Sequence, residues 1–292
     1  MTRFAVTSAD GTTVAGWRNN GEGPPVVICN GLGTPPAAWP VLIAPERGFR
    51  VVSWYYRGTG GGERPTDPHR ITIDDHVQDA LAVMDAEGVE KGLLACWSLG
   101  VNIGFELARQ YPDRVAGILA VAGLPGGTFQ SIGGRLKVPR PLRHGLGTTG
   151  ARVLRRFGKQ MSWTAQRIPV NRLTATVINH SGMVLPAARP EWLMPMLEEF
   201  REHDFAWYFT LALAGARHEA MELEFVKTPV TLVAGQHDVI TSSHDMAEAA
   251  ARIPHAQLRL LPGSHFLPIE YPVELAEEMD ALAARTGLRV PA

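Results

Sequence analysis

Residues 92–110 read GLLACWSLGVNIGFELARQ and contain the strongest structural signal in the chain. The first six residues are small or apolar, which is typical of a buried strand, and the residues from Leu99 onward follow the pattern of a helix. Ser98 therefore lies where a strand turns into a helix. A serine on such a turn projects its hydroxyl above the sheet, and small residues must flank it because the two backbones pass close together. Gly100 meets this requirement, and Cys96 is also small.

The same turn predicts a site for negative charge. It places the backbone N–H of Leu99 at the start of a helix, where the helix dipole favours an anion. A second turn, residues 30–34, reads NGLGT and follows another apolar run, and its glycines allow the N–H of Leu32 to point inward. We therefore predict Leu32 and Leu99 as backbone donors of an oxyanion hole. The structural alternatives are a serine N-cap and an ordinary strand-to-helix turn.

A nucleophilic serine requires a base, and the base requires a group that orients it. His265 follows the last apolar run of the chain, and Asp238 follows the run before it. Both therefore lie at the carboxyl ends of predicted parallel strands, at the same sheet edge as Ser98, where ligands of such sheets bind. A single Asp or His at a strand end more often caps a turn. Three such residues at one edge favour a catalytic triad with Ser98 as nucleophile, His265 as base and Asp238 as the orienting acid.

Short apolar runs alternate with helical patterns along most of the chain. Runs rich in Val, Ile and Leu are typical of strands buried on both faces, so the alternation predicts a mostly parallel, doubly wound α/β sheet. Asp10-Gly11 predicts a hairpin turn and an antiparallel pair at the sheet edge. The predicted strands are residues 25–30, 50–56, 92–97, 115–122, 229–234 and 256–261. The predicted helices are residues 73–87, 99–109, 242–252 and 272–285.

The alternation stops after residue 123 and resumes at residue 221. We therefore expect residues 124–220 to form an inserted helical cap on an α/β core made of residues 1–123 and 221–292. The helix-like pieces of the insertion are residues 148–166, 172–182, 190–202 and 204–217.

Charge distinguishes the same segment, because no Asp or Glu occurs from Arg114 to Pro190. If this basic stretch lies at the entrance to the active site, it would attract an anionic substrate or an anionic lipid surface. The alternative is a solvated basic face balanced by the acidic residues that begin at Glu191. The basic residues of the stretch include Arg135, Lys137, Arg140, Arg143, Arg152, Arg155, Arg156, Lys159, Arg167 and Arg172.

Composition excludes several classes of protein. The 292 residues are 45% hydrophobic, which is enough for a large core, and the net charge of -1 gives no reason to expect a nucleic-acid partner. Neither metal-ligand spacing nor a nucleotide-binding glycine motif is present, so we expect no metal and no other cofactor. No run approaches the length of a membrane span and no signal pattern is visible, so we expect no integral membrane segment and a cytoplasmic location. Cys29 and Cys96 are expected to be small buried side chains.

Together these pieces resemble the α/β-hydrolase superfamily. Residues 96–100 are similar to its Gly-x-Ser-x-Gly elbow, and residues 30–32 are similar to its His-Gly-x loop. The resemblance implies the α/β-hydrolase fold, a triad in the chain order Ser, Asp, His, and a lid over the site. Three residues differ from those usual in the family, and they are Asn30, Tyr55 and Cys96.

Other histidines are weaker candidates for the base. His237 precedes the acid and breaks the chain order, and His244 falls in the following predicted helix. His76 opens a helix, where we expect it at the surface.

The expected chemistry is cleavage of a carboxylic ester or thioester through an acyl-enzyme, with a small molecule carrying an apolar acyl group as substrate. Aromatic and methionine residues of the insertion would line the acyl pocket or form the core of the cap itself. A serine nucleophile argues against dehalogenase and epoxide hydrolase chemistry. The same triad also serves lactonases, carbon–carbon bond hydrolases, acyltransferases and perhydrolases. A ligand-binding member without turnover is a further alternative, and the sequence leaves the oligomeric state open.

Overall fold

The computed structural model describes residues 1–132 and 139–288. Within them eight strands form a single sheet. The strands are β1 (Thr2–Thr7), β2 (Thr13–Arg18), β3 (Pro25–Cys29), β4 (Arg50–Trp54), β5 (Gly92–Trp97), β6 (Val115–Val121), β7 (Val230–Gly235) and β8 (Gln257–Leu261). Their spatial order is β1-β2-β4-β3-β5-β6-β7-β8. The pairs β1–β2 and β2–β4 are antiparallel and all others are parallel, which confirms the predicted fold class and the hairpin at the sheet edge.

Ten α-helices accompany the sheet in the described residues. Those that follow strands of the core are α1 (Ile73–Ala86), α2 (Leu99–Gln110), α8 (Ser243–Arg252), α9 (Leu267–Glu270) and α10 (Pro272–Arg285). Five more lie in the chain between β6 and β7, a stretch that we call the β6–β7 segment (residues 122–229). They are α3 (Arg140–Arg156), α4 (Gly158–Ala165), α5 (Arg172–Asn179), α6 (Pro190–Phe200) and α7 (Phe205–Gly215).

The sheet is buried on both faces. In β5, Leu94 and Cys96 belong to the hydrophobic cluster that contains residues of α1, α2 and α8, whereas Leu93 and Ala95 belong to the cluster that contains residues of α10. Successive side chains of a strand point to opposite faces, so a strand covered on both sides must be apolar throughout. This explains the continuous apolar runs in the sequence.

Two cysteines lie side by side at the centre of the sheet. Cys29 in β3 is in register with Cys96 in β5, and both are fully buried free thiols. As predicted, they behave as small core side chains. Their position matters for the site, because Cys29 directly precedes Asn30, and Cys96 lies two residues before Ser98.

A buried ionic cluster fixes the loop after β4. The guanidinium of Arg57 has no exposed surface and donates to the carboxylates of Asp79 and Asp10. The expectation that His76 lies at the surface is wrong. Its side chain is buried, with Nδ1 3.2 Å from Oδ2 of Asp79 and its ring against that of Tyr56. The reason is that residues three apart share a helix face, so His76 follows Asp79 toward Arg57.

Helix α3 begins earlier than predicted. The sequence predicts a helix over residues 148–166, whereas α3 begins at Arg140 and ends at Arg156, and the separate helix α4 follows it. A proline in its first turn is compatible with helix geometry. Extensive packing against α7 compensates for the low helix propensity of glycine.

Candidate active site

Ser98 occupies a strained turn between β5 and α2. Its backbone φ is 54°, a left-handed value that a residue other than glycine rarely adopts. Gly100 is required two residues later, since a Cβ there would lie 1.9 Å from the carbonyl oxygen of Cys29. The unusual Cys96 is accommodated by Gly104 of α2, where a Cβ would lie 2.2 Å from the cysteine sulfur. The cysteine therefore needs a glycine opposite it on the helix.

The structure brings Ser98, His265 and Asp238 together. Oγ of Ser98 lies 2.8 Å from Nε2 of His265, and Nδ1 of His265 lies 2.9 Å from Oδ2 of Asp238. An ionised carboxylate only accepts hydrogen bonds, so Nδ1 carries the imidazole proton. Nε2 is then an acceptor, and the serine hydroxyl donates to it. This arrangement of hydroxyl, imidazole and carboxylate permits the imidazole to withdraw the serine proton.

The carboxylate of Asp238 is held at both oxygens. It is buried after β7, and its Oδ1 accepts from the backbone N–H groups of Ile240 and Thr241, each at 2.8 Å. Oδ2 is left for His265. The turn after β7 therefore fixes which oxygen faces the imidazole.

The loop that carries His265 is clamped from two sides. The indole N–H of Trp97 donates to the carbonyl oxygen of His265 at 2.9 Å. The buried carboxylate of Glu270 accepts from the N–H and hydroxyl of Ser264 and, at 2.7 Å, from the N–H of Leu185 in the β6–β7 segment. Sequence reasoning missed this role of Glu270. It depends on the β6–β7 segment folding back onto the loop, for which the sequence gives no local signal.

Asn30 organises the turn on the other side of Ser98. Its side-chain oxygen accepts from the N–H of Gly31 and from the indole of Trp39, and its amide donates to the carbonyl oxygen of Thr34. This asparagine stands where the resemblance predicts histidine. Its amide supplies both a donor and an acceptor, and it uses both to fix residues 30–34.

Leu32 and Leu99 line the same cavity as Ser98 and His265. Neither backbone N–H donates to an acceptor within residues 1–132 and 139–288. Both donors are therefore without an acceptor among the described residues, which is compatible with the predicted oxyanion hole.

His203, in the connection between α6 and α7, contacts the Leu32 turn. Its Nε2 donates to the carbonyl oxygen of Gly33 at 2.7 Å. Gly33 has φ 71°, and a Cβ there would lie 2.8 Å from Nε2 of His203 and 2.7 Å from the ring of Tyr208. Burial lowers the pKa of His203, although the bond to Gly33 and the charge of Glu199 act in the opposite direction. The sequence offered no signal for this contact, because residues 33 and 203 are joined only by tertiary packing.

A cavity of about 830 Å³ opens directly onto Ser98. Its wall combines core residues with residues of the β6–β7 segment, and it is predominantly apolar. No Asp, Glu, Lys or Arg occurs among the described residues that line it. Representative apolar contacts come from Phe129, Leu154, Met161, Met196, Phe200 and Phe209.

The competing histidines do not join the site. His237 is exposed. The side chain of His244 is 80% exposed and lies 3.2 Å from Glu248. In the described part of the chain, no three His, Cys, Asp or Glu side chains are grouped as a metal site would require. No helix of that part is long and apolar enough to cross a membrane.

A mostly parallel eight-stranded sheet with a serine on the tight turn after β5 defines an α/β-hydrolase architecture. The chain belongs to the α/β-hydrolase fold family, whose family model matches residues 24–272. Membership of this family supports a hydrolase activity.

Individual relatives agree with the family assignment. The RutD protein of Caulobacter segnis, named as a carbamate hydrolase, is 36% identical over 99 residues, which are 34% of this chain and 37% of that protein. The match therefore spans little more than a third of that relative. A 3-oxoadipate enol-lactonase of Acinetobacter baylyi is 23% identical and aligns over 90% of this chain and 89% of its own length. The crystal structure of an enol-lactonase from Burkholderia xenovorans matches with a TM-score of 0.71 at 20% identity, covering 96% of this chain and 100% of that chain, and it shows the likeness of fold.

Proposed function

We propose that this chain is a serine hydrolase that cleaves a carboxylic ester or thioester of an apolar acyl group through an acyl-enzyme. The observation that carries the proposal is the pair of hydrogen bonds joining Ser98, His265 and Asp238 at the floor of a large apolar cavity. Hydrogen-bonded serine, histidine and aspartate side chains beside a cavity large enough for a ligand are the arrangement that acyl transfer requires.

The reaction follows from the geometry. His265 Nε2 takes the hydroxyl proton as Oγ of Ser98 attacks the carbonyl carbon, and Asp238 stabilises the resulting imidazolium. The N–H groups of Leu32 and Leu99 receive the oxyanion. The imidazolium then protonates the leaving alcohol or thiol as the carbon–oxygen or carbon–sulfur bond breaks. A water molecule, deprotonated by the same imidazole, hydrolyses the acyl-enzyme and restores the hydroxyl of Ser98.

We propose that residues 124–220 act as a cap on the core of residues 1–123 and 221–292. Support comes from the cavity wall, to which α3 to α7 all contribute side chains. It also comes from two polar contacts, that of His203 with Gly33 and that of Leu185 with Glu270. Both contacts reach loops that flank Ser98, so the cap would support the site as well as cover it.

The lining argues for an uncharged acyl group. A carboxylate placed in this cavity would lose its hydration without a Lys or Arg among the described lining residues to replace it. Substrates such as 3-oxoadipate enol-lactone carry a carboxylate and fit this lining poorly, and carbamate is far smaller than the roughly 830 Å³ available. A neutral alkyl lactone satisfies both limits and belongs to the same proposal, since a lactone is a cyclic ester.

Activity-based labelling combined with a substrate series tests the proposal. We expect a fluorophosphonate probe to label wild-type protein and Ser181→Ala, which alters a cavity-lining serine outside the relay, and to leave Ser98→Ala unlabelled. Turnover of nitrophenyl esters should rise from acetyl toward longer acyl groups, because about 0.8 kcal/mol is gained for each buried methylene. Labelling of Ser98→Ala at the wild-type rate would exclude Ser98 as nucleophile, and equal rates for all chain lengths would exclude an apolar acyl site.

A further inference from the structure

Several large apolar side chains of the β6–β7 segment are exposed to solvent. Leu146 is 68% exposed, Trp163 60% and Leu173 73%. A soluble domain normally scatters exposed apolar side chains singly, so a concentration of them within one segment indicates an interaction surface. We call these residues, together with Leu142, Val153, Phe157 and Val177, the apolar face of the cap.

The apolar face follows helix geometry. On α3 the exposed residues Leu142, Leu146, Val153 and Phe157 are spaced by four, seven and four positions, so they lie on one side of the helix. On α5, Leu173 and Val177 are four positions apart and share a side in the same way. Ala151 lies on a different side of α3 and is buried, so that side packs inward.

Cations accompany the apolar face. Arg152, Arg155, Arg156 and Lys159 are exposed, and none of them forms an ion pair with a residue in the described ranges. Arg167 stacks over the ring of Trp163, with its guanidinium carbon 3.9 Å from the ring centroid. No Asp or Glu occurs between Arg114 and Pro190 to offset these charges, and Arg135 and Lys137 lie outside the described residues.

The apolar face meets the cavity at Leu146. Leu146, Leu154 and Met183 line the cavity and are also 68%, 41% and 54% exposed, so the apolar interior continues without interruption to the surface. An apolar molecule lying against this surface would therefore reach Ser98 without crossing a polar rim.

We propose that the apolar face and its cations dock reversibly on an anionic lipid surface, from which the cavity takes its acyl substrate. The docking step depends only on this surface, and the delivery of substrate rests on the function proposed above. Exposed Trp, Phe and Leu side chains on a segment that also exposes Arg and Lys match the boundary between anionic headgroups and acyl chains. An acidic protein would satisfy the cations but would leave the apolar residues less completely covered.

Vesicle flotation of the full chain tests the docking step. We expect the protein to float with vesicles containing about one third phosphatidylglycerol in phosphatidylcholine, and to be released by salt. The charge variant Arg155→Glu/Arg156→Glu and the apolar variant Phe157→Ser/Trp163→Ala should each lower the partition coefficient at least about tenfold. Matched controls are Lys227→Glu and Val273→Ser, which alter an exposed cation and an exposed apolar residue of the core and should bind as wild type.

Three results would overturn the docking proposal. They are equal binding to pure phosphatidylcholine and to the anionic vesicles, wild-type binding by both cap variants, and absence of vesicle binding by the wild-type protein. In the last case, dimerisation in solution or binding to an acidic carrier protein would indicate a protein partner for this face instead. The readout needs no turnover, so Ser98→Ala should float like wild type. Loss of flotation with normal fluorophosphonate labelling would end the docking proposal alone, and normal flotation without labelling would end the proposed function alone.

Discussion

Replacement of Asp238 by asparagine should abolish turnover through the hydrogen-bond pattern of a single side chain. In the wild type, Oδ1 accepts two backbone N–H groups at 2.8 Å and Oδ2 accepts Nδ1–H of His265 at 2.9 Å. An asparagine has only one oxygen for these two positions. Whichever position its NH2 group takes, that position loses its acceptor.

The structure decides which orientation the asparagine adopts. Turning the NH2 group toward Ile240 and Thr241 would leave two N–H donors unsatisfied, at a cost of about 1–3 kcal/mol each. Even the lower end of that range, about 2 kcal/mol for the pair, favours the other orientation about 30-fold. The NH2 group then faces Nδ1 of His265, which must become an acceptor. The proton moves to Nε2, and the imidazole no longer accepts the proton of Ser98.

We therefore expect Asp238→Asn to lower kcat by about 10⁴-fold with a nearly unchanged KM, since the tautomer affects the transition state and not substrate binding. The assay is steady-state hydrolysis of nitrophenyl butyrate, with circular dichroism to verify the fold. Asp245→Asn is the matched control, because this buried carboxylate binds Ser131 and Arg143 and does not touch the triad. A kcat for Asp238→Asn within tenfold of the wild-type value would refute the reasoning.

Three further predictions address the cavity, the cap contact and the buried ion cluster. Gly150 lines the cavity and a Cβ there meets no atom within 4 Å, so Gly150→Phe should displace about four methylenes of a long acyl chain and lower its kcat/KM roughly 200-fold while sparing acetyl esters. Gly145→Phe, on the same helix with equally open space but outside the lining, should leave both rates unchanged. Burial lowers the pKa of His203 from its usual value of 6.5, so the unfolded state binds the proton more readily and the free energy of unfolding should rise with pH up to about 6.5. His203→Gln should make this rise smaller when the free energy of unfolding is measured with urea at several pH values. An unchanged dependence of that free energy on pH would contradict the argument. Burial alone would raise the pKa of Asp79, but hydrogen bonds from His76 and Arg57 hold it below its usual 3.8, so its contribution to stability should be lost as pH falls below about 4. At neutral pH, Asp79→Asn should lower the free energy of unfolding by about 3 kcal/mol, because Arg57 stays buried with one partner fewer, and a loss under about 1 kcal/mol would exclude that role.

The fold and the candidate triad were predictable because their signals are local. The turn at Ser98 requires a small residue at position 100 for steric reasons, and parallel strands place His265 and Asp238 at one edge without any knowledge of the packing. The structure places these three side chains within hydrogen-bonding distance. Their catalytic roles remain predictions that the labelling and kinetic experiments address.

Features that depend on contacts between distant segments were not predictable. The bond from His203 to Gly33 and that from Leu185 to Glu270 join residues far apart in sequence, and no periodic pattern encodes them. The error at His76 has the same origin. A polar residue at a helix start is usually solvated, but the buried carboxylate of Asp79, itself paired with Arg57, draws this one inward.

Helix propensity does not indicate where α3 begins. Its three glycines lower the intrinsic stability of a helix by about 1 kcal/mol each, which argues against a start at Arg140. Packing on α7 reverses this balance, and the glycines serve another purpose, since Gly147 and Gly150 leave space in the cavity wall.

The adjacent thiols of Cys29 and Cys96 provide a chemical probe of when the protein opens. Both cysteines belong to central strands and are fully buried, so a reagent cannot reach either sulfur in the folded protein. A thiol-specific dye can therefore react only when the helices packed over these cysteines, α2 among them, move away from the sheet. The rate of dye uptake in native buffer consequently reports how often this face of the sheet opens. Variants can be compared for such opening in this way without a denaturant.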